Sequence, residues 1–158
     1  MGNPVGLSLH RENFYAMKNP LKLFLASLML LLPALAHADG RVIPYEKLPA
    51  EAKSFIAEYF PSAKVLQVTA EWDEYEVLLS DRVQLEFNRS GLWKKIKCKT
   101  DGVPQAVIPS RIVSYFQTHF PEYLILQIER SRWGYEVETR EGLEFEFDKN
   151  CNFIRIDD

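Results

Sequence analysis

The sequence predicts an α+β protein: a tandem repeat of one helix packed on a four-stranded antiparallel meander, giving one eight-stranded sheet if the two meanders join. Three observations predict it. Shifting residues 39–98 by 60 positions onto 99–158 needs no gap, and it aligns Ile43-Pro44 with Val103-Pro104, Leu48-Pro49 with Ile108-Pro109, and Phe60-Pro61 with Phe120-Pro121. The same shift superimposes Leu66-Gln67 on Leu126-Gln127, Tyr75-Glu76-Val77 on Tyr135-Glu136-Val137, Glu86-Phe87 on Glu146-Phe147 and Ile96 on Ile156, with 13 of 60 positions identical. Within each copy, helical apolar spacing gives way to an alternation of period two. The matches fall on prolines and on those periodic apolar positions, where backbone geometry and burial restrict the residue most.

Each copy opens with a helix. Pro49 and Pro109 suit a helix start, where a missing amide hydrogen costs nothing, and Pro61 and Pro121 stop the helix about three turns later. Apolar residues at 48, 52, 55, 56, 59 and 60, and again at 108, 112, 115, 116 and 120, form one buried stripe. His119 stands at the place of Tyr59 on that stripe and is predicted to be a packed, hydrogen-bonded ring rather than a ligand.

Four strands follow in each copy, at about Val65–Thr69, Glu74–Leu79, Val83–Asn88 and Leu92–Cys98 in the first. Their parity turns Leu66, Val68, Tyr75, Val77, Leu79, Val83, Leu85, Phe87, Ile96 and Cys98 toward the helix. The second copy offers Leu126, Ile128, Tyr135, Val137, Leu143, Phe145, Phe147, Ile154 and Ile156. One face of the meander is left wet.

The first 38 residues stand apart from this pattern. Lys18 and Lys22 precede an apolar run from Leu23 to Leu35 that ends in Ala36-His37-Ala38, the layout of a signal peptide cleaved after Ala38. Met17 is the expected start, with Met1–Ala16 an upstream extension. The run is short for a membrane span, so no span is expected in the mature chain. Repeat 1 then occupies 39–98 and repeat 2 occupies 99–158. Cleavage removes three bases and one acid, leaving 16 basic and 21 acidic residues and a net charge of −5. That balance argues against nucleic acid as a partner.

The residues Leu48-Pro49, Phe60-Pro61, Tyr75-Glu76-Val77, Gly91-x-Trp93 and Lys97-Cys98-Lys99, followed by Val103-Pro104, Ile108-Pro109, Gly134-Tyr135-Glu136-Val137 and Ile156-Asp157-Asp158, resemble the PepSY-like family, described as beta-lactamase-inhibitor-like. The resemblance spans essentially the whole mature chain. It implies an exported bacterial protein with tandem copies, a helix packed on each four-stranded antiparallel sheet, and no established general activity. Likeness to an inhibitor is a likeness of fold, which does not fix function. Cys151 departs from the pattern by standing where the first copy has Gly91, so a positive backbone angle there should strain it by about 1 kcal/mol.

The wet face is the expected functional surface. Strand parity places Gln67, Glu76, Glu86, Trp93 and Lys95 on it, and Gln127, Glu136, Glu146, Phe153 and Arg155 at the corresponding places. A row of glutamine, two glutamates and a base, with an aromatic nearby, suits capture of basic groups from a protein or peptide of the cell envelope. The plainer expectation is a solvated sheet face with ordinary carboxylate pKa values, its glutamates paired with Lys95 and Arg155. A small-ligand or cation carrier is the alternative function. No cofactor, metal site or catalytic residue is expected: no Gly-x-Ser-x-Gly, His-Glu-x-x-His or phosphate-cradling loop occurs, and no calcium-loop spacing is present. Cys98 and Cys151, the only cysteines, could form a disulfide in an oxidising compartment if their geometry allowed it.

Overall fold

Strand β1 (Arg41–Val42) is followed by a 3-10 turn at Tyr45–Lys47 and helix α1 (Ala50–Tyr59), and then by β2 (Val65–Ala70), β3 (Glu74–Leu79), β4 (Gln84–Asn88) and β5 (Trp93–Lys97). A second 3-10 turn at Gln105–Val107 leads into α2 (Ser110–His119), β6 (Ile125–Arg130), β7 (Gly134–Thr139), β8 (Glu144–Asp148) and β9 (Phe153–Asp157). The structure is a computed structural model that describes residues 40–157. The leader expected at 1–38 and the start expected at Met17 lie outside the described residues. Among those described, no helix is long and apolar enough to cross a membrane.

Both helices begin where expected. Pro49 and Pro109 sit at the N-caps in extended conformation and give up their carbonyls to the first turn, Pro49 to the amide of Lys53 at 3.1 Å and Pro109 to Ile112 at 2.9 Å. The helices end at Tyr59 and His119, two residues before Pro61 and Pro121. Each buries one stripe, through Ala52 and Ile56 or through Ile112 and Phe116, against one face of the sheet.

All strands belong to one open antiparallel sheet in the order β1 to β9. The joint between the halves is the pairing of β5 with β6, Lys95↔Glu129, Ile96↔Ile128 and Lys97↔Gln127. Among the described residues the sheet has nine strands rather than eight. The addition is β1, which pairs Arg41 with Ala70 and Val42 with Thr69 along the outer edge of β2 and is too short to leave a periodic trace in the sequence.

Four β-bulges set which residues face the helices. They fall between Val65 and Gln67 in β2, between Ile125 and Gln127 in β6, and opposite Glu86/Phe87 and Glu146/Phe147, where β5 and β9 each carry one extra residue. An extra residue reverses the parity of everything beyond it. Leu66, expected inside, is therefore 62% exposed, Leu126 is only half-buried and Ile125 is buried in its place. Ile154, also expected inside, becomes the extra residue of β9 and is 55% exposed, and Ile156 is exposed because β9 has no neighbour on its outer side among the described residues. The remaining inward positions of both halves are buried or partly buried in one core.

His119 is exposed, not packed. Its ring lies 4.7 Å from that of Tyr115, on the outer flank of the last helical turn. Cys151 has φ +61, beside +85 at Gly91, so the left-handed conformation expected at this turn is present in both halves. A Cβ on Gly91 would meet the amide nitrogen of Ala52 at 2.9 Å, which shows how tightly this turn abuts the start of α1. No disulfide forms. Cys98 and Cys151 are free thiols, Cys98 beyond the end of β5 and Cys151 before the start of β9, at opposite ends of strands four places apart in the sheet. Several strand spacings of about 4.8 Å separate them, against the roughly 6 Å between Cα atoms that a disulfide requires. Burial, with a contribution from Asp101, pushes the Cys98 thiol up to about 11, so it is an inert core side chain.

Candidate functional site: the acidic helix-free face

The face away from the helices carries one continuous cross-strand row. Reading the register from β2 to β9, it runs Thr69, Glu76, Glu86, Lys95, Glu129, Glu136, Glu146, Arg155. Glu76, Glu86, Lys95, Glu136, Glu146 and Arg155 therefore occupy the face that sequence parity assigned to them. Glu129 joins them unforeseen, because the corresponding place in the first half is held by an uncharged threonine, Thr69.

Four expected members do not join the row. The bulge in β2 sets Gln67 opposite Leu78 rather than Glu76, and its side-chain amide donates to Thr69 Oγ1 at 3.1 Å. Gln127 keeps its place between β5 and β7 but is only 6% exposed, so it is buried and not solvated. Trp93 and Phe153 lie on the opposite side. The bulges pair them with the inward Phe87 and Phe147, and both pack from the helix side. Phe153 stacks on Tyr115 of α2 with centroids 4.9 Å apart, and Trp93 lies beneath the Arg130 guanidinium at 4.5 Å.

Charge is distributed unevenly along the face. The lysines of β5 pair with acids on both sides of the joint: Lys94 binds Glu74, Lys95 binds Glu129 at 3.0 Å, and Lys97 approaches Glu138 at 3.7 Å. In the second half Glu136 pairs with Glu146 and Glu138 with Glu144, a two-by-two block of glutamates on neighbouring strands. Like charges directly opposite one another are unfavourable. Arg155 is the one base of β9, and it binds Glu146 and, at 3.0 Å, Asp157. Among the described residues Glu76, Glu86, Glu136 and Glu144 have no ion-pair partner. Glu144, Glu146 and Asp157 each bring a carboxylate oxygen within 4.8 Å of the others.

Two carboxyls on this face have raised pKa values. Partial burial raises Glu136, reinforced by Glu144 and Glu129 and opposed by Lys95. Burial likewise raises Glu86, with Lys95 pulling the other way. A carboxyl whose folded pKa lies above its unfolded value binds protons more tightly in the native state, so native stability is lost as pH rises through that range. Glu136→Gln should therefore melt higher than the parent at neutral pH, with the gain shrinking to nothing as pH falls below about 4. Thermal melts across that range check this; an unchanged or lower neutral-pH melting temperature would contradict the strained carboxylate.

Beside the glutamate block is a hollow of ≈ 240 Å³ lined by Glu129, Glu136, Glu146, Trp133, Gly134 and Ile154 among others. Its origin is a local difference between the halves. At the corresponding places in the first half Glu74 and Lys94 form an ion pair that covers the sheet, whereas Gly134 and Ile154 leave the second half open. Trp133, 74% exposed on the β6–β7 turn, overhangs the opening. Sequence parity could not find this hollow, because Ile154 faces it only through the bulge.

Comparison with known proteins agrees with this architecture. The sequence profile of the PepSY-like family, described as beta-lactamase-inhibitor-like, matches residues 37–88 and 73–155. The chain belongs to that family. A crystal structure of a DUF2874-family protein from Bacteroides vulgatus, described as a proposed periplasmic protein, is 36% identical over 77% of this chain and 99% of its own, with a TM-score of 0.72. A second B. vulgatus protein, described as a proposed periplasmic protein of unknown function, is 35% identical over 75% of this chain and 99% of its own, with a TM-score of 0.73. A protein from Bacteroides thetaiotaomicron, described as a proposed calcium-regulated periplasmic protein, is 35% identical over 76% of this chain and 98% of its own, again with a TM-score of 0.73. A search of curated proteins finds no match.

Proposed function

We propose that this PepSY-like chain is an exported, non-enzymatic binding module, two duplicated units in one sheet, whose second half captures a basic segment of an envelope protein or peptide. The observation that carries the reading is the block Glu136, Glu138, Glu144 and Glu146 beside the Trp133 hollow. It concentrates negative charge that the chain's own bases leave partly uncompensated, next to apolar surface able to receive the stem of a lysine or arginine. The periplasmic description of the similar structures supports export. Against an enzyme stand a buried Cys98 thiol pushed up to about 11 and a histidine, His119, resting on an aromatic ring outside the acidic face. Recurrence of every element from Tyr45–Lys47 to Trp93–Lys97 at a spacing of 60 residues supports duplication, with the units at 39–98 and 99–158.

Cation binding is the second reading, and the calcium-regulated description of the B. thetaiotaomicron protein favours it. Glu144, Glu146 and Asp157 would be the ligands. They fit calcium poorly as they stand. Three carboxylates supply at most about six oxygens where calcium takes six to eight, and the Arg155 guanidinium already binds two of the three.

Titration of the protein with a lysine- and arginine-rich peptide, followed by the tryptophan fluorescence change that Trp133→Phe removes, tests the reading. Binding should weaken with salt, and Glu136→Gln with Glu144→Gln should weaken it about tenfold or more while the fold is retained. A fluorescence response to calcium ions with none to the peptide would overturn the basic-segment reading in favour of the cation. Peptide binding unaffected by the two substitutions would remove this block as the site.

A further inference from the structure

The outer edge of β9 is a second feature that asks for a partner, and what it does is independent of what the acidic face binds. All five residues Phe153–Asp157 are exposed, and no described element covers that edge. The opposite edge differs, because β1 covers part of β2.

The joint inside the chain shows what such an edge accepts. β5 pairs with β6 through only three residues, a central Ile96↔Ile128 contact flanked by Lys95↔Glu129 and Lys97↔Gln127. The amide of Cys98 donates to the Leu126 carbonyl at 2.7 Å, so by the alternation of an antiparallel ladder Ile96 also turns its N–H and C=O toward β6. Ile156 holds the same register in β9, opposite Phe145 as Ile96 is opposite Leu85. Its N–H and C=O therefore face the open edge.

The sequence around Ile156 is self-complementary. Two β9 strands brought antiparallel with Ile156 on the two-fold axis place Ile156 opposite its copy, and Arg155 of each strand opposite Asp157 of the other. Arg155 and Asp157 lie on the acidic face and Ile156 on the helix face, so each pair meets on one side of the sheet. One register thus joins two backbone hydrogen bonds at the axis, an apolar contact like that of Ile96 with Ile128, and two reciprocal ion pairs made in exchange for the Arg155–Asp157 pair within each strand. A register shift of one residue sets Ile156 against Arg155 or Asp157, and a shift of two sets Arg155 against Arg155 or Asp157 against Asp157.

We propose that β9 is a homodimerisation edge. A second copy of this chain pairs antiparallel about Ile156, continues the sheet across the two-fold axis and brings both acidic faces to the same side. The contact is isologous and closes at two copies. Its small extent places it among weak, concentration-dependent associations.

Sedimentation of the purified exported chain over a concentration series tests the proposal. The expected result is a monomer–dimer equilibrium that stops at twice the monomer mass. Arg155→Asp should weaken dimerisation about tenfold or more by placing acids opposite Asp157, and Asp157→Arg should do the same with bases. Mixing the two variants should restore a heterodimer, because each then faces the opposite charge. Ile156→Pro should abolish the dimer with little change in melting temperature, since the lost amide hydrogen faces away from β8. A chain that stays monomeric throughout, assemblies that grow beyond two copies, or a dimer indifferent to the charge reversals would each overturn the proposal.

Discussion

Gly134→Ala is expected to destabilise the protein by about 3 kcal/mol or more, while the substitution at the corresponding place in the first half, Glu74→Ala, costs no more than about 1. A Cβ on Gly134 would stand 1.9 Å from the carbonyl oxygen of Phe147 and 2.9 Å from the Cα of Asp148. Both are backbone atoms of β8, so no rotamer change relieves the clash, and β7 and β8 would have to separate at the start of their pairing. Glu74 already carries a Cβ at the same point of the meander and pairs with Asn88. Its side chain reaches Lys94 at the surface, where losing one partner of an ion pair has a small effect. Chemical denaturation of the two variants measures the contrast directly. Equal costs would show that β7 can move off β8 without penalty, and that Gly134 is not held by contact.

That contrast also shows where sequence stops being informative. The helix starts, the strand alternation and the 60-residue spacing are legible because each depends on residue type at a fixed interval: proline at a helix boundary, an apolar side chain at every second position. Glu76, Glu86, Glu136 and Glu146 could be placed on the acidic face for the same reason. Trp93, Phe153, Leu66 and Ile154 could not, because a bulge adds one residue and reverses the parity beyond it without a characteristic residue to mark it. Glu129 and Trp133 escaped for a different reason. They differ from their counterparts Thr69 and Asp73, so comparing the copies for likeness passed over them, although they line the hollow that makes the second half distinct. Positions that match between the halves report the shared scaffold, and mismatched ones report what sets one half apart.

Phe145→Ala is expected to cost about 3–5 kcal/mol and to lower the melting temperature by roughly 15 °C. Phe145 is fully buried, with ring centroids 4.7 Å from Phe116 and 5.0 Å from Phe120, so truncation empties a site walled by rigid rings from both the helix and the segment after it. The corresponding first-half residue, Leu85, is equally buried, but aromatic contacts gather in the second half, where Tyr115, Phe116, Phe120, Tyr123, Phe145, Phe147 and Phe153 form a continuous cluster. The aromatic packing lies directly beneath the glutamate block. Phe145 is flanked in sequence by Glu144 and Glu146, whose side chains project from the other face of the same strand. Mutual repulsion of those carboxylates favours separation of β7 from β8, and the aromatic cluster is what opposes it. Phe145→Ala should consequently lose more stability at neutral pH than at a pH where the glutamates are protonated, a difference that denaturation at the two pH values would resolve. A cost independent of pH would mean that core and charged face act separately, each half of the sheet holding its register without help from the other.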